Sequence, residues 1–148
     1  MSRLEIVNRK ATHLYYFEQV FEAGVILSGT EVKSIKTGKA NLSDAYCVID
    51  NGELWIRNMH ISEYKSGSNN HEPKRSRKLL LNRAELRKIE KKVKEKGNTI
   101  IPYKLYMSER GMIKIEIALA TGKKSFDKRD SIKEREQKRE LARDFKKL

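Results

Sequence analysis

Asn51-Gly52 is the feature that most restricts the fold. Two short apolar runs, residues 45–50 and 53–61, flank it. Asn-Gly accepts left-handed backbone at both central positions of a two-residue turn, and that turn twists as paired strands twist. The segment therefore predicts a hairpin, and with it a β fold. A second pair of runs, 99–107 and 112–120, brackets Ser108-Glu109-Arg110-Gly111. In it Ile113, Ile115 and Ile117 alternate with Lys114 and Glu116, so one face is buried and one is wet. Residues 14–27 are rich in Tyr, Phe, Val, Ile and Leu and predict a longer strand with a bulge or bend at Gly24.

Helices are signalled twice. Gly29 and Gly38 enclose Val32, Ile35 and Lys36 at helical spacing, which predicts a short helix. Asn82 is a good N-cap, and Glu85 three residues on predicts a capping box. Leu81 and Leu86 stand at the positions of a hydrophobic staple. Leu86, Ile89 and Val93 form a narrow apolar stripe, and Gly97 is a natural stop. Residues 62–76, polar and holding Gly67 and Pro73, read as an exposed loop.

Five or so strands, two hairpins and two helices predict a mainly β domain, a small closed antiparallel barrel with short helices. An OB-like barrel suits the size. Pattern alone leaves an SH3-like barrel or another α+β arrangement open. After Gly122 no strand-type periodicity remains. The expected division is a barrel over 1–122 and a basic tail over 123–148.

Charge speaks to function. Lys and Arg number 33 against 20 Asp and Glu, a net charge of +13, the footprint of a polyanionic partner. Charge alone does not separate RNA, DNA and anionic membrane. No run reaches the roughly 18 apolar residues of a membrane span, and the first residues lack the apolar stretch of a signal peptide. One cysteine, Cys47, excludes an internal disulfide. These features predict a cytoplasmic protein with no membrane partner.

Residues 74–96 hold 11 basic and 3 acidic residues. Pairing along a helix cannot neutralise that excess, and like charges at helical spacing repel. Phosphates would supply the missing anions. The tail carries 11 basic and 6 acidic residues. Ser131-Ile132-Lys133-Glu134 is a capping box, Glu134 and Lys138 form a favourable pair, and Leu141, Phe145 and Leu148 share a face. A free helix of that length is marginal in water, so the tail is expected to be disordered alone and to fold on a partner.

Enzyme chemistry finds no support. His13, His60 and His71 are far apart and Cys47 is alone, so no metal-spaced set or nucleophile–base pair is marked. Thr121-Gly122-Lys123-Lys124-Ser125 is not a phosphate loop, because Ile117 and Lys124 stand where that motif needs Gly and Ser or Thr. No catalytic residue, metal or cofactor is expected. Tyr15, Tyr16, Phe17, Tyr46 and Trp55 read as core rather than stacking platforms, which favours a folded RNA over a single strand.

Six strings, in order, carry a resemblance. They are Phe21-Glu22-Ala23-Gly24; Gly29-Thr30-Glu31-Val32-Lys33-Ser34; Gly38-Lys39-Ala40-Asn41-Leu42-Ser43-Asp44; Arg77-Lys78-Leu79-Leu80-Leu81-Asn82; Gly122-Lys123-Lys124 with Asp127-Lys128-Arg129; and Ile132-Lys133-Glu134-Arg135-Glu136. Their order and spacing resemble the small protein B family, the SsrA-binding proteins of bacteria, over nearly the whole chain.

The resemblance implies an OB-type barrel with a C-terminal tail. It also implies binding to the tRNA-like domain of transfer-messenger RNA and delivery of that RNA to stalled ribosomes for trans-translation. The tail would meet small-subunit ribosomal RNA in the decoding region and lie as a helix in the empty mRNA channel. Alanyl-tRNA synthetase and elongation factor Tu, which act on the same RNA, would be indirect partners, and the protein would travel as a monomer. Glu22, Leu80 and Asn82 match family positions tied to RNA binding. Arg75, Arg77 and Lys78 join them from the basic segment. Lys123, Lys124, Phe126, Asp127, Lys128 and Arg129 match the segment that enters the decoding region. Phe126 departs from the expected His or Tyr, keeping a ring but losing a polar handle. Asp144-Phe145 departs from an expected apolar pair.

Overall fold

The computed structural model describes residues 4–65 and 69–124. Nine strands and three helices follow in order: β1 (Glu5–Val7), α1 (Arg9–Leu14), β2 (Tyr15–Val25), α2 (Gly29–Lys36), β3 (Ala40–Asn41), β4 (Tyr46–Asp50), β5 (Glu53–Arg57), β6 (His60–Ile61), β7 (Arg77–Leu80), α3 (Arg83–Lys96), β8 (Thr99–Met107) and β9 (Ile113–Gly122). The fold is mainly β, as the sequence predicts.

The hairpin forms where Asn51-Gly52 places it. Asn51 has φ 51° and Gly52 φ 74°, and Asp50 faces Glu53 across the turn. The second strand of the hairpin is shorter than predicted. It stops at Arg57, because Asn58 turns left-handed at φ 60° and sends His60–Ile61 to pair with Ala40–Asn41 instead.

Antiparallel pairing runs β8-β4-β5-β7-β2-β9 and returns from β9 to β8, a closed ring of six strands, with β1 added beside β8. The ring encloses the main core. Phe21, Ala23, Leu54, Ile56, Leu79, Leu105, Ile115, Ile117 and Leu119 point inward. Two helices contribute to it: Ile35 from α2 and Ile89 from α3 are fully buried, with Leu86 and Val93 packed alongside. A second cluster lies on the opposite face of the sheet, where Ala11 of α1 meets Ile101 and Ala120 beside Tyr15, Phe17 and Tyr103. The Phe17 and Tyr103 rings meet edge to face at 5.2 Å.

Two expectations are corrected here, and one strand is added. The irregularity in β2 falls between Phe17 and Gln19, not at Gly24. It leaves Glu18 outside the ladder, where its carboxylate accepts from Asn98 Nδ2 at 2.7 Å and Thr121 Oγ1 at 3.2 Å. Residues 77–80, Arg-Lys-Leu-Leu, add a strand that completes the ring, one the sequence does not announce. The aromatic residues are not all core, since Tyr16 is 49% and Tyr46 40% exposed.

Candidate nucleic-acid interface

The interface begins with the alternation of β7. Arg77 and Leu79 point inward and are buried; Lys78 and Leu80 point outward. Leu80 is 50% exposed, unusual for a leucine beside a ring core. It stands opposite Gly24 of β2. Gly24 leaves room for it: a Cβ there would lie 3.4 Å from Leu80 Cβ and 3.7 Å from Leu80 Cδ1. Glu22, two positions from Gly24 along β2, shares the outward side of that strand. The structure thus brings Glu22 and Leu80, 58 positions apart in sequence, onto one outward face, with exposed Asn82 two residues past Leu80 at the start of α3.

Glu22 is exposed and faces Glu116 of β9 directly across the ladder. The Tyr106 phenol is pushed above its ordinary range, first by burial, then by its hydrogen bond to Glu22 and the charge of both carboxylates. Lys114, opposite Gly24, completes this edge. Two adjacent carboxylates are acceptors only. They suit donors such as base amino groups or ribose 2′-hydroxyls rather than phosphate.

Asn82 caps α3. Its Oδ1 accepts from Glu85 N at 2.8 Å. The predicted capping box is altered, because the Glu85 carboxylate accepts from the Asn82 side-chain amide at 2.6 Å. The amide nitrogen carries two hydrogens, so the cap uses one and leaves one. Behind Asn82, exposed Arg83, Arg87, Lys88 and Lys91 line α3. Lys94 is paired with Glu90 at 3.0 Å.

The basic residues of the preceding segment divide. Lys78 is outward and pairs with Glu53 at 3.0 Å. Arg75 is 39% exposed and reaches Glu31 Oε1 at 2.6 Å and Ile26 O at 3.3 Å. Arg77 is corrected: it is fully buried and cannot touch RNA in this arrangement. Its Nε donates to Glu31 Oε2, and its remaining nitrogens donate to Met59 O at 2.7 Å and Pro73 O at 3.1 Å. A buried guanidinium survives only when its donors are met this fully.

Glu31, not among the residues expected at the site, is the centre of that cluster. Ser28 and Glu31 form a true capping box at the start of α2, and their spacing in the sequence was the available signal. Burial pushes the Glu31 carboxyl up, but Arg75, the Ser28 N–H and Arg77 outweigh it and hold it at about 2. Burial likewise pushes Arg77 down against the pull of Glu31. Nearby, His71 is buried, with Nδ1 2.8 Å from Thr30 Oγ1 and Nε2 2.8 Å from Ile61 O. Cys47 is buried and its thiol is pushed up by that burial, which leaves it unreactive. Glu31, Arg77 and His71 together tie the loop before β7 to the ring, and so fix where β7 presents Leu80.

The start of the tail is also fixed. Lys123 N donates to Leu14 O at 2.8 Å, and its Nζ donates to Thr12 O at 2.9 Å while lying 4.8 Å from the Tyr16 ring centroid. Lys124 is exposed. Phe126, Asp127, Lys128 and Arg129 lie outside the described residues, as does the expected tail helix.

Fold and surface together define a small antiparallel β protein with a basic helix and a cluster of hydrogen-bonding side chains on one outer face. The chain belongs to the SmpB family: the family model for SmpB protein matches residues 5–147. It is 50% identical to the SsrA-binding protein of Parabacteroides distasonis over 146 residues, 98% of this chain and 95% of that one. It is 53% identical to the SsrA-binding protein of Cytophaga hutchinsonii over 144 residues, 97% and 94% of the two chains. Among solved structures it resembles a chain of "tmRNA-SmpB: a journey to the center of the bacterial ribosome", with a TM-score of 0.70 and 41% identity over 87% of this chain and 94% of that one.

Proposed function

We propose that this protein is an RNA-binding adaptor that holds the tRNA-like domain of transfer-messenger RNA and delivers it to stalled ribosomes in the cytoplasm. The reading is carried by Glu22 and Leu80 on one outward face with exposed Asn82 just past Leu80, in a chain half-identical to SsrA-binding proteins along almost its whole length. The closed six-stranded ring serves as an OB-type barrel, a rigid frame for that face.

Division of labour follows from chemistry. Lys78, Arg75 and the exposed residues of α3 neutralise phosphates, which sets affinity and orientation. Glu22 and Asn82 hydrogen-bond to base edges or 2′-hydroxyls, and Leu80 packs on a base or ribose. Arg77 supports them from inside without touching RNA. The tail, 123–148, works on the small-subunit ribosomal RNA, with Lys123, Lys124, Phe126, Asp127, Lys128 and Arg129 in the decoding region and its helix in the mRNA channel. Alanyl-tRNA synthetase and elongation factor Tu meet this protein only through the shared RNA, and the adaptor acts as a monomer without chemistry of its own.

Reconstituted translation tests this. Ribosomes stalled on an mRNA without a stop codon, supplied with aminoacylated transfer-messenger RNA and elongation factor Tu, should tag the stalled peptide only when this protein is added. Equal tagging without it would contradict the reading.

A further inference from the structure

Two aromatic residues outside the core, Tyr46 and Trp55, share one face. In β4 Cys47 points inward, so Tyr46 and Val48 point out. In β5 Leu54 and Ile56 point inward, so Trp55 and Arg57 point out. Trp55 stands between Val48 of β4 and Lys78 of β7 in the ladder. Tyr46 stands opposite Arg57. Tyr46 and Leu80 are therefore diagonal neighbours of Trp55 on either side, within reach of large side chains.

The strip is continuous with the face already described: Tyr46, Trp55, Leu80, then Gly24 and Glu22. It is interleaved with cations. Lys78 and Arg57 border Trp55, and their acidic partners are exposed pairs, Glu53 at 3.0 Å and Asp50 at 3.5 Å, weak enough for phosphate to displace. Among the described residues, no aromatic ring or cation is stacked on Trp55 or Tyr46, unlike Tyr16, which lies under Lys123. Trp55 is half-buried, so part of its side chain meets solvent.

We propose that Tyr46 and Trp55 form a stacking surface for unpaired RNA nucleotides, extending the interface of Glu22, Leu80 and Asn82 across β5 to β4. This inference rests on the RNA-binding reading above. A base has a flat apolar face of a size to cover Trp55, and its phosphates fall within reach of Lys78 and Arg57. A duplex, with its bases stacked internally, offers Trp55 nothing. Continuity with the RNA face and the flanking cations favour RNA over a protein segment as the occupant.

Trp55 is the sole tryptophan of the chain, so its emission reports this surface alone. The full chain is titrated with a single-stranded 12-nucleotide uridine-rich RNA, a duplex of equal length, and the tRNA-like domain of transfer-messenger RNA, with filter retention measuring binding independently. The single strand and the tRNA-like domain should quench Trp55, and the duplex should not. Trp55→Leu should weaken single-strand binding by roughly tenfold, the loss of one stacked base, and Trp55→Phe should largely restore it. Retention of the tRNA-like domain with Trp55 unquenched and Trp55→Leu unaffected would overturn the inference while leaving the adaptor reading intact. Quenching by the single strand without preference for the tRNA-like domain would support the stacking surface and count against the adaptor reading. If no RNA alters Trp55, the inference fails and the face is left to a protein partner.

Discussion

Leu80 of β7 rests over Gly24 of β2, close enough that a Cβ on the glycine would sit 3.4 Å from Leu80 Cβ. The contact explains how a leucine can stay half-exposed in a defined position. Alanine at Gly24 meets Leu80 at ordinary contact distance and restricts the unfolded chain. Gly24→Ala should therefore leave stability unchanged or raised by about 0.5 kcal/mol. Gly24→Val adds a branch that displaces Leu80, and should lower RNA affinity more than stability. Thermal unfolding and filter retention separate the two.

Asn82 serves the helix and, in the proposal, the RNA. Asn82→Ala should cost about 1 kcal/mol of stability through the lost cap and a further 1–3 kcal/mol of RNA affinity if its remaining amide hydrogen makes a desolvated contact. Asn82→Ser keeps an acceptor for the Glu85 N–H but has no amide. It should fold like the parent and still bind RNA weakly. Normal affinity in Asn82→Ser would remove Asn82 from the interface.

Arg77 should behave as a structural residue. Arg77→Met removes the buried partner of Glu31 Oε2 and leaves only Arg75 and the Ser28 N–H on its other oxygen, a loss of roughly 3 kcal/mol. Replacing Glu31 and Arg77 together with apolar residues should cost less than Arg77→Met alone. Denaturant titration of the three variants tests this. An Arg77 variant of full stability with weakened RNA binding would contradict the assignment.

The same cluster gives a pH dependence. Glu31 has a folded pKa of about 2 against an ordinary 4.5. Its contribution is therefore fully present above pH 4.5 and lost as pH falls from 4.5 towards 2. At roughly 1.4 kcal/mol per unit, the full amount is about 3 kcal/mol. Stability of the parent should fall across that window. Glu31→Gln should be less stable at neutral pH and lack this part of the slope.

The tail should be separable from RNA capture. Deleting residues 125–148 leaves the interface and Lys123 in place. RNA affinity should change little, while tagging in the reconstituted system should disappear. A large loss of affinity would make the tail a direct RNA clamp.

Features set by neighbouring residues were legible in the sequence. Asn51-Gly52 dictates its turn through its own φ angles, and Asn82 and Gly97 bound α3 through hydrogen bonds within one helical turn. Features set by distant partners were not. The bulge at Glu18 answers to Asn98 and Thr121, brought near only by the closed ring. β7 is a strand because β5 and β2 flank it, and the Leu79-Leu80-Leu81 run that begins in it conceals which side is buried. Its basic neighbours in sequence give Arg77 the look of a phosphate contact. Only the inward parity it shares with Leu79, and a carboxylate 46 positions away, reveal it as buried. Of the interface, the residues are named by resemblance, but the shared face of Glu22 and Leu80 depends on the β2–β7 register.

The central claim is most directly tested by the affinity of the purified protein for the tRNA-like domain of transfer-messenger RNA beside an elongator tRNA of equal length, at one near-physiological salt concentration. The account predicts much tighter binding to the tRNA-like domain, weakening steeply as salt rises because phosphate contacts release counterions. Equal affinity for the two RNAs would contradict it and leave a basic β protein that binds RNA without distinction.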